Sequence, residues 1–152
     1  MTSREDVARA MAYFEASDDI VLLHGLIEEV APRARRLIAA FLAKENEEAI
    51  PPPAGIRSAR AAASRDEAVR TLRYVDDFSL LQALARCIGQ RIEAIEIAAS
   101  ADFPEGARVV VPAVAGDHAG AVEATGTVLR VRLDSGETWE GPPSSARLET
   151  AP

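Results

Sequence analysis

The chain predicts an α+β fold. An N-terminal helical region of two repeated helical hairpins in a four-helix arrangement (residues 1–100) precedes a small five-stranded antiparallel barrel (residues 103–150). Three observations predict it. Apolar residues recur at steps of three and four as far as residue 100, and at every second position after residue 103. A triproline stretch, Pro51-Pro52-Pro53, separates two helical segments, 3–48 and 64–99, whose sequences resemble each other.

The first helix starts at Ser3. Asp6 stands three residues on, a capping-box spacing in which hydroxyl and carboxylate each satisfy an orphan backbone N–H. Val7, Met11 and Phe14 give its apolar stripe. Ser17-Asp18-Asp19 opens a second helix, with Ile20, Leu23, Ile27, Val30, Ala34, Leu37 and Phe41 on one face. Pro32 falls inside it and removes one i→i−4 hydrogen bond, so the expectation is one kinked helix or two nearly collinear ones, ending near Glu48. Residues 49–63 read as a linker, extended through the prolines. Ser64 with Glu67 is a second capping box. Asp76-Asp77 open the fourth helix, whose stripe is Leu81, Leu84, Ile88, Ile92 and Ile95 and which ends before Phe103-Pro104.

The repeat is read from two alignments. Residues 3–14 lie over 64–75 at an offset of 61, matching Ser3 with Ser64, Arg9 with Arg70, Met11 with Leu72 and Tyr13 with Tyr74. Residues 18–30 lie over 76–88 at an offset of 58, matching Asp18-Asp19 with Asp76-Asp77, Leu22-Leu23 with Leu80-Leu81 and Leu26 with Leu84. Each unit is a short helix, an acidic turn and a longer helix. One such hairpin cannot bury its own apolar face, so two copies packed about a pseudo-twofold axis are the expected stable form.

Beyond Ser100 the strands are read at 107–112, 120–125, 127–133, 137–140 and 146–149. In the third, Leu129, Val131 and Leu133 face one side and Val128, Arg130 and Arg132 the other. Asp134-Ser135-Gly136 is a tight turn, and residues 142–145 a short 3₁₀ turn. Glu105-Gly106-Ala107-Arg108-Val109, the Gly116–Val122 stretch and Leu133-Asp134-Ser135-Gly136 together resemble the small barrels of the KOW and Tudor type. Those families often bind nucleic acid or protein tails. This segment departs from both habits: its charge suits nucleic acid poorly, and Trp139 and Phe103 are too few aromatics for a cation-binding cage.

Composition narrows the function classes. Hydrophobic residues make up 48% of the chain and aromatics 5%, so the core is aliphatic. Sixteen arginines against one lysine, with abundant alanine, is the bias of a high-GC bacterial genome. Net charge is −7, divided as −4 over 1–53, +1 over 54–100 and −4 over 101–152, which disfavours nucleic acid as a partner. The single cysteine, Cys87, precludes an internal disulfide and a cysteine metal cluster. The charged MTSREDVARA start does not read as a secretory leader, and no apolar run reaches the ~18 residues a membrane span requires. A cytoplasmic protein with no cofactor and no metal is expected.

Among candidate chemical groups, His24 and Glu28 sit one helical turn apart, but His24 aligns with Gln82, so no second histidine helix completes a metal site. Cys87 aligns with Glu29 and has no histidine near it in sequence; a buried, unreactive thiol is expected. No catalytic residue is assigned. The candidate binding residues are Trp139, either core or exposed anchor, and Asp117 with His118 in the loop before the second strand. The Arg-x-x-x-Tyr pairs Arg9/Tyr13 and Arg70/Tyr74 complete the set. The plainer alternative is that the arginines cover the rings or pair with acids.

The expectation is a non-enzymatic protein–protein interaction or adaptor module of a bacterial assembly or regulatory system. Its partner is another protein, or a second copy of the chain bound through the helical region. The alternatives are a nucleic-acid-associated accessory factor using the KOW-like barrel and the Arg57–Arg73 region and, less favoured, an enzyme built on His24, His118 or Cys87.

Overall fold

The computed structural model describes residues 3–45, 55–113 and 116–149. The chain divides into two compact units between Ile92 and Glu93. The first holds α1 (Arg4–Ala16), α2 (Ile20–Glu45), α3 (Arg65–Tyr74) and most of α4 (Phe78–Ser100). The last two turns of α4 belong to the second unit, with the five strands.

The helix starts follow the capping residues. Ser3 is extended, its Oγ accepts the Asp6 N–H at 3.1 Å, and its own N–H donates to the Asp6 carboxylate at 3.2 Å, closing the expected box. Asp19 and Asp77 each accept the N–H three residues on, from Leu22 and Leu80, at 3.0 Å. Ser64 accepts the Glu67 N–H at 3.2 Å, but the return bond of the expected second box is absent. The Glu67 carboxylate instead reaches across to Arg9, an interaction available only in the packed unit.

α2 runs unbroken through Pro32. Its fully buried residues, Leu23, Leu26 and Val30, all precede the proline, and the described residues beyond it are half-buried or exposed. The expected end near Glu48 and the triproline part of the linker lie outside the described residues.

α1 packs against α3, the leading helices of the two segments. Ala10 of α1 and Ala68 of α3 are completely buried. Positions related by the offset of 61 are buried together (Val7 and Ala68, Met11 and Leu72, Phe14 and Val75). So are those related by 58 (Leu23 and Leu81, Leu26 and Leu84, Val30 and Ile88). Each large side chain of this set is worth about 1.5–3 kcal/mol of burial.

In the second unit the strands form one antiparallel sheet in the order β4-β3-β2-β1-β5. They are β1 (Arg108–Ala113), β2 (Gly116–Ala124), β3 (Leu129–Leu133), β4 (Thr138–Gly141) and β5 (Arg147–Leu148). The sheet is open, which corrects the expected barrel. β4 and β5 are its two edges, and β5, only two residues long, is too short to close it. β3 alternates as expected, with Leu129, Val131 and Leu133 buried between exposed Arg130 and Arg132. These three join Val109, Val111, Val122 and Phe103 in a core of their own.

A second correction concerns β2. It begins at Gly116, four residues before the expected strand, and pairs Asp117 with Pro112 and His118 with Val111. The long polar loop read there is therefore paired strand. The turn at Gly136 forms as expected, with φ at 96° and the Gly136 N–H donating to the Leu133 carbonyl at 2.9 Å. Within this unit the end of α4 carries Glu96, which is buried and accepts from the Ser144 N–H (2.8 Å) and the Ser144 hydroxyl (2.5 Å). Its carboxylate thereby holds the start of the 3₁₀ turn Pro143–Ser145.

Candidate functional site

In the helical unit three of the four predicted Arg and Tyr residues converge. Arg9, Arg70 and Tyr74 line one open hollow of about 380 Å³ between α1 and α3, together with Asp6 and Glu67. Arg70 and Tyr74 also face a second hollow of about 410 Å³, shared with Arg65 and Arg73. Tyr13 joins neither; its half-buried ring packs edge-on against Phe14, with centroids 5.5 Å apart.

The two arginines of the pair differ for a simple reason. Arg9 donates to Glu67 at 3.1 Å. The related pair would be Arg70 with Asp6, but an aspartate is one methylene shorter than a glutamate. Asp6 stays on its cap, where the Ser3 N–H and hydroxyl hold its carboxyl below the usual carboxylate range. Among the described residues Arg70 has no carboxylate partner, and Tyr74 is 74% exposed.

Two further arginines, not singled out from the sequence, cross between the helical segments. The half-buried Arg33 of α2 donates to the Leu72, Arg73 and Val75 carbonyls at the C-terminal end of α3. Desolvation lowers its pKa from the ordinary value, while Glu29 opposes the shift. Arg91 of α4 donates to the Ser17 carbonyl (2.8 Å) at the C-terminal end of α1 and to Asp18 (2.7 Å). Arg33 and Arg91 are 58 residues apart, the offset of the second alignment, so extending that alignment by three residues would have found them. Each satisfies orphan carbonyls at the end of the other segment's short helix.

Cys87 is buried against Met11, its thiol donating to the Met11 carbonyl at 3.5 Å, and burial pushes its pKa up to about 12. A thiol in that state is a poor nucleophile at neutral pH. His24 is half-buried on α2. Among the described residues no group of three or more His, Cys, Asp or Glu is placed to hold a metal ion.

The sheet unit carries the other candidate residues. Trp139 on β4 lies opposite Val131, packs partly against the sheet core and lines an open groove of about 560 Å³ with His118, Pro112, Leu133 and Glu137. The Trp139 side chain is half-buried, in contact with the sheet core and bordering the groove. Gly141, two residues on and on the same face, makes room for it. A Cβ there would stand 2.5 Å from the ring. Strand alternation separates Asp117 from His118: His118 faces the groove, while Asp117 takes an ion pair from Arg147 at 3.0 Å. Every arginine of this unit is held by carboxylate: Arg108 by Asp134 and Glu149, Arg130 by Glu140, Arg132 by Glu123, Arg147 by Asp117.

Comparison of the chain with protein-family models, with curated proteins and with solved structures finds no match. The residues and their geometry are therefore what a functional reading rests on. No helix is long and apolar enough to cross a membrane among the described residues.

Proposed function

We propose that this protein is a non-enzymatic interaction module, an adaptor in a bacterial assembly or regulatory system. Its sheet unit takes a partner segment with an apolar anchor and a basic flank. The observation that carries this reading is the groove at Trp139. The chain's one tryptophan stands half out of the core beside His118 and Pro112, with Glu137 at the rim. Large aromatic side chains in partly desolvated grooves are the common anchors of protein interfaces. With its four arginines already paired, the unit offers a net acidic surface to whatever docks, which favours basic segments and works against phosphate. The strand order, a meander whose short last strand returns to β1, is compatible with the KOW and Tudor resemblance. We read the helical unit as two copies of one helical hairpin, supported by the matched buried positions and the exchanged Arg33 and Arg91.

The test uses Trp139 as its own reporter. Peptides selected on the full chain from a random display library should be rich in arginine or lysine around an apolar residue. They should shift the tryptophan emission on titration and lose affinity with His118→Ala. If no selected peptide perturbs the emission, the groove is not the docking site. The nucleic-acid alternative has one observation in its favour, the exposed arginines of α3. A salt-sensitive micromolar affinity for mixed DNA or RNA would establish it in place of the first reading.

A further inference from the structure

The helical unit contains a peptide-like segment already docked on one of its two short helices. Residues 55–63 lie along α1: the Ala59 N–H donates to the Ala8 carbonyl and the Ala63 N–H to the Arg9 carbonyl, both at 3.0 Å. Ile56 of this strap is half-buried in a notch beside Met11 and Cys87. The positions related to Ala8 and Arg9 by the offset of 61 are Val69 and Arg70 on α3, and these line the open hollow of about 410 Å³. On α1 the face is covered by residues 55–63, whereas among the described residues the matching face of α3 lines an open hollow.

Charge says what would cover it. The strap carries Arg57 and Arg60 and no acid, and it lies on the helix that has Glu5, Asp6 and Glu15 against Arg4 and Arg9. α3 has the reverse balance, with Arg65, Arg70 and Arg73 against Asp66 and Glu67. Glu67 is turned away to Arg9, and Arg70 has no carboxylate partner among the described residues. The apolar notch that receives Ile56 has no counterpart either, because Glu29 stands where Cys87 would and is engaged by Arg73 at 2.9 Å.

We propose that the α3 face formed by Arg65, Arg70, Arg73 and Tyr74 docks an extended acidic segment of a partner protein, laid along α3 as the strap is laid along α1. A second copy's strap is a poor occupant, because it would bring Arg57 and Arg60 onto a face whose one arginine without a carboxylate partner among the described residues is Arg70. Nucleic acid is less favoured: with Arg65 near Asp19 (3.8 Å) and Arg73 on Glu29, Arg70 alone lacks a carboxylate among the described residues, and one arginine suits a single carboxylate better than a run of phosphates. This inference concerns a different surface from the Trp139 groove and stands or falls without it.

The experiment is a fluorescence anisotropy titration of the full chain with a labelled peptide of alternating alanine and glutamate. The comparisons are the alanine–lysine peptide and a single-stranded oligonucleotide of matching charge. The acidic peptide should bind in a manner that depends on Arg70, whereas any binding of the basic peptide to the acidic sheet unit should be indifferent to the Arg70 variants. Arg70→Gln should weaken binding about three- to fivefold and Arg70→Glu about tenfold or more, the range for exposed charge pairs at an interface. His118→Ala should change nothing, which separates this surface from the sheet groove. Arg65→Gln, further from the α1 contact, should reproduce the direction if Arg70→Glu disturbs folding. The proposal is overturned by no binding of the acidic peptide, by binding indifferent to both Arg70 variants, or by an oligonucleotide that binds more tightly and displaces the peptide.

Discussion

Removing Arg33 should cost the helical unit more than any other single arginine. Its guanidinium donates to three carbonyls at the end of α3, those of Leu72, Arg73 (2.5 Å) and Val75 (3.3 Å). Hydrogen bonds from a charged donor contribute about 1.5–3 kcal/mol each when buried. The site is only half-buried, water can reach part of it, and the Nε has no partner, so the three together are worth about 2–3 kcal/mol rather than their sum. Arg33→Ala should therefore lower the urea-unfolding free energy, followed by helical circular dichroism, by about 2–3 kcal/mol. At about 4–8 °C per kcal/mol for a unit of this size, the melting temperature should fall by about 8–24 °C. Arg33→Lys should recover little, because one ammonium cannot fan out over three carbonyls. Arg91→Ala should cost less, about 1–2 kcal/mol. It makes one carbonyl bond, and its carboxylate partner Asp18 is 90% exposed. The two share no partner, so the double variant should lose the sum within about 0.5 kcal/mol. A loss below about 0.5 kcal/mol for Arg33→Ala, or a larger loss for Arg91→Ala, would refute the view that exchanged arginines fasten the two segments.

Other outcomes follow from the same geometry. Cys87 ionises in the unfolded chain near its ordinary 9.0 but only at about 12 when folded. Stability should thus be complete below about pH 8.5 and fall as the pH climbs from there toward 12, and Cys87→Ala should remove that component from unfolding curves at pH 8 and 10. Native Cys87 should also react with a thiol reagent far more slowly than the urea-unfolded chain does. Gly141→Ala should push the Trp139 ring from its seat, costing about 1–3 kcal/mol and shifting its emission, whereas an unchanged spectrum would show the ring is not seated on that glycine. Glu96→Ala should destabilise the sheet unit by about 2–4 kcal/mol, read from tryptophan emission, since two bonds to Ser144 are lost together.

Periodicity and capping chemistry are local, and local features were legible in the amino-acid order. Ser3, Asp19, Ser64 and Asp77 cap the helices where the sequence places them, and β3 alternates because residues two apart share a face. Where legibility failed, a choice between competing partners was at stake. Glu67 could close its own cap or pair with Arg9, and only the approach of α1 to α3 decides for Arg9. Gly116 to Ala119 read as loop because small and polar residues dominate them, yet pairing with β1 draws them into β2. The same pairing turns His118 toward Trp139 and Asp117 away. Arg33 and Arg91 gave no local signal, since Arg33 reaches backbone carbonyls, which every sequence has, and Arg91 reaches one such carbonyl and an aspartate 73 residues away.

The sequence by itself determined the helical and strand segments, the switch of period after residue 103 and the resemblance between the two helical halves, because each depends on neighbours a few residues apart. Only the tertiary structure decided that the sheet stays open and, among the described residues, that Arg9 has a carboxylate partner while Arg70 has none, and that residues 55–63 lie on α1 while the matching face of α3 lines a hollow. Those outcomes turn on reach: a two-residue strand cannot close a barrel, and a carboxylate one methylene shorter stays on its own cap.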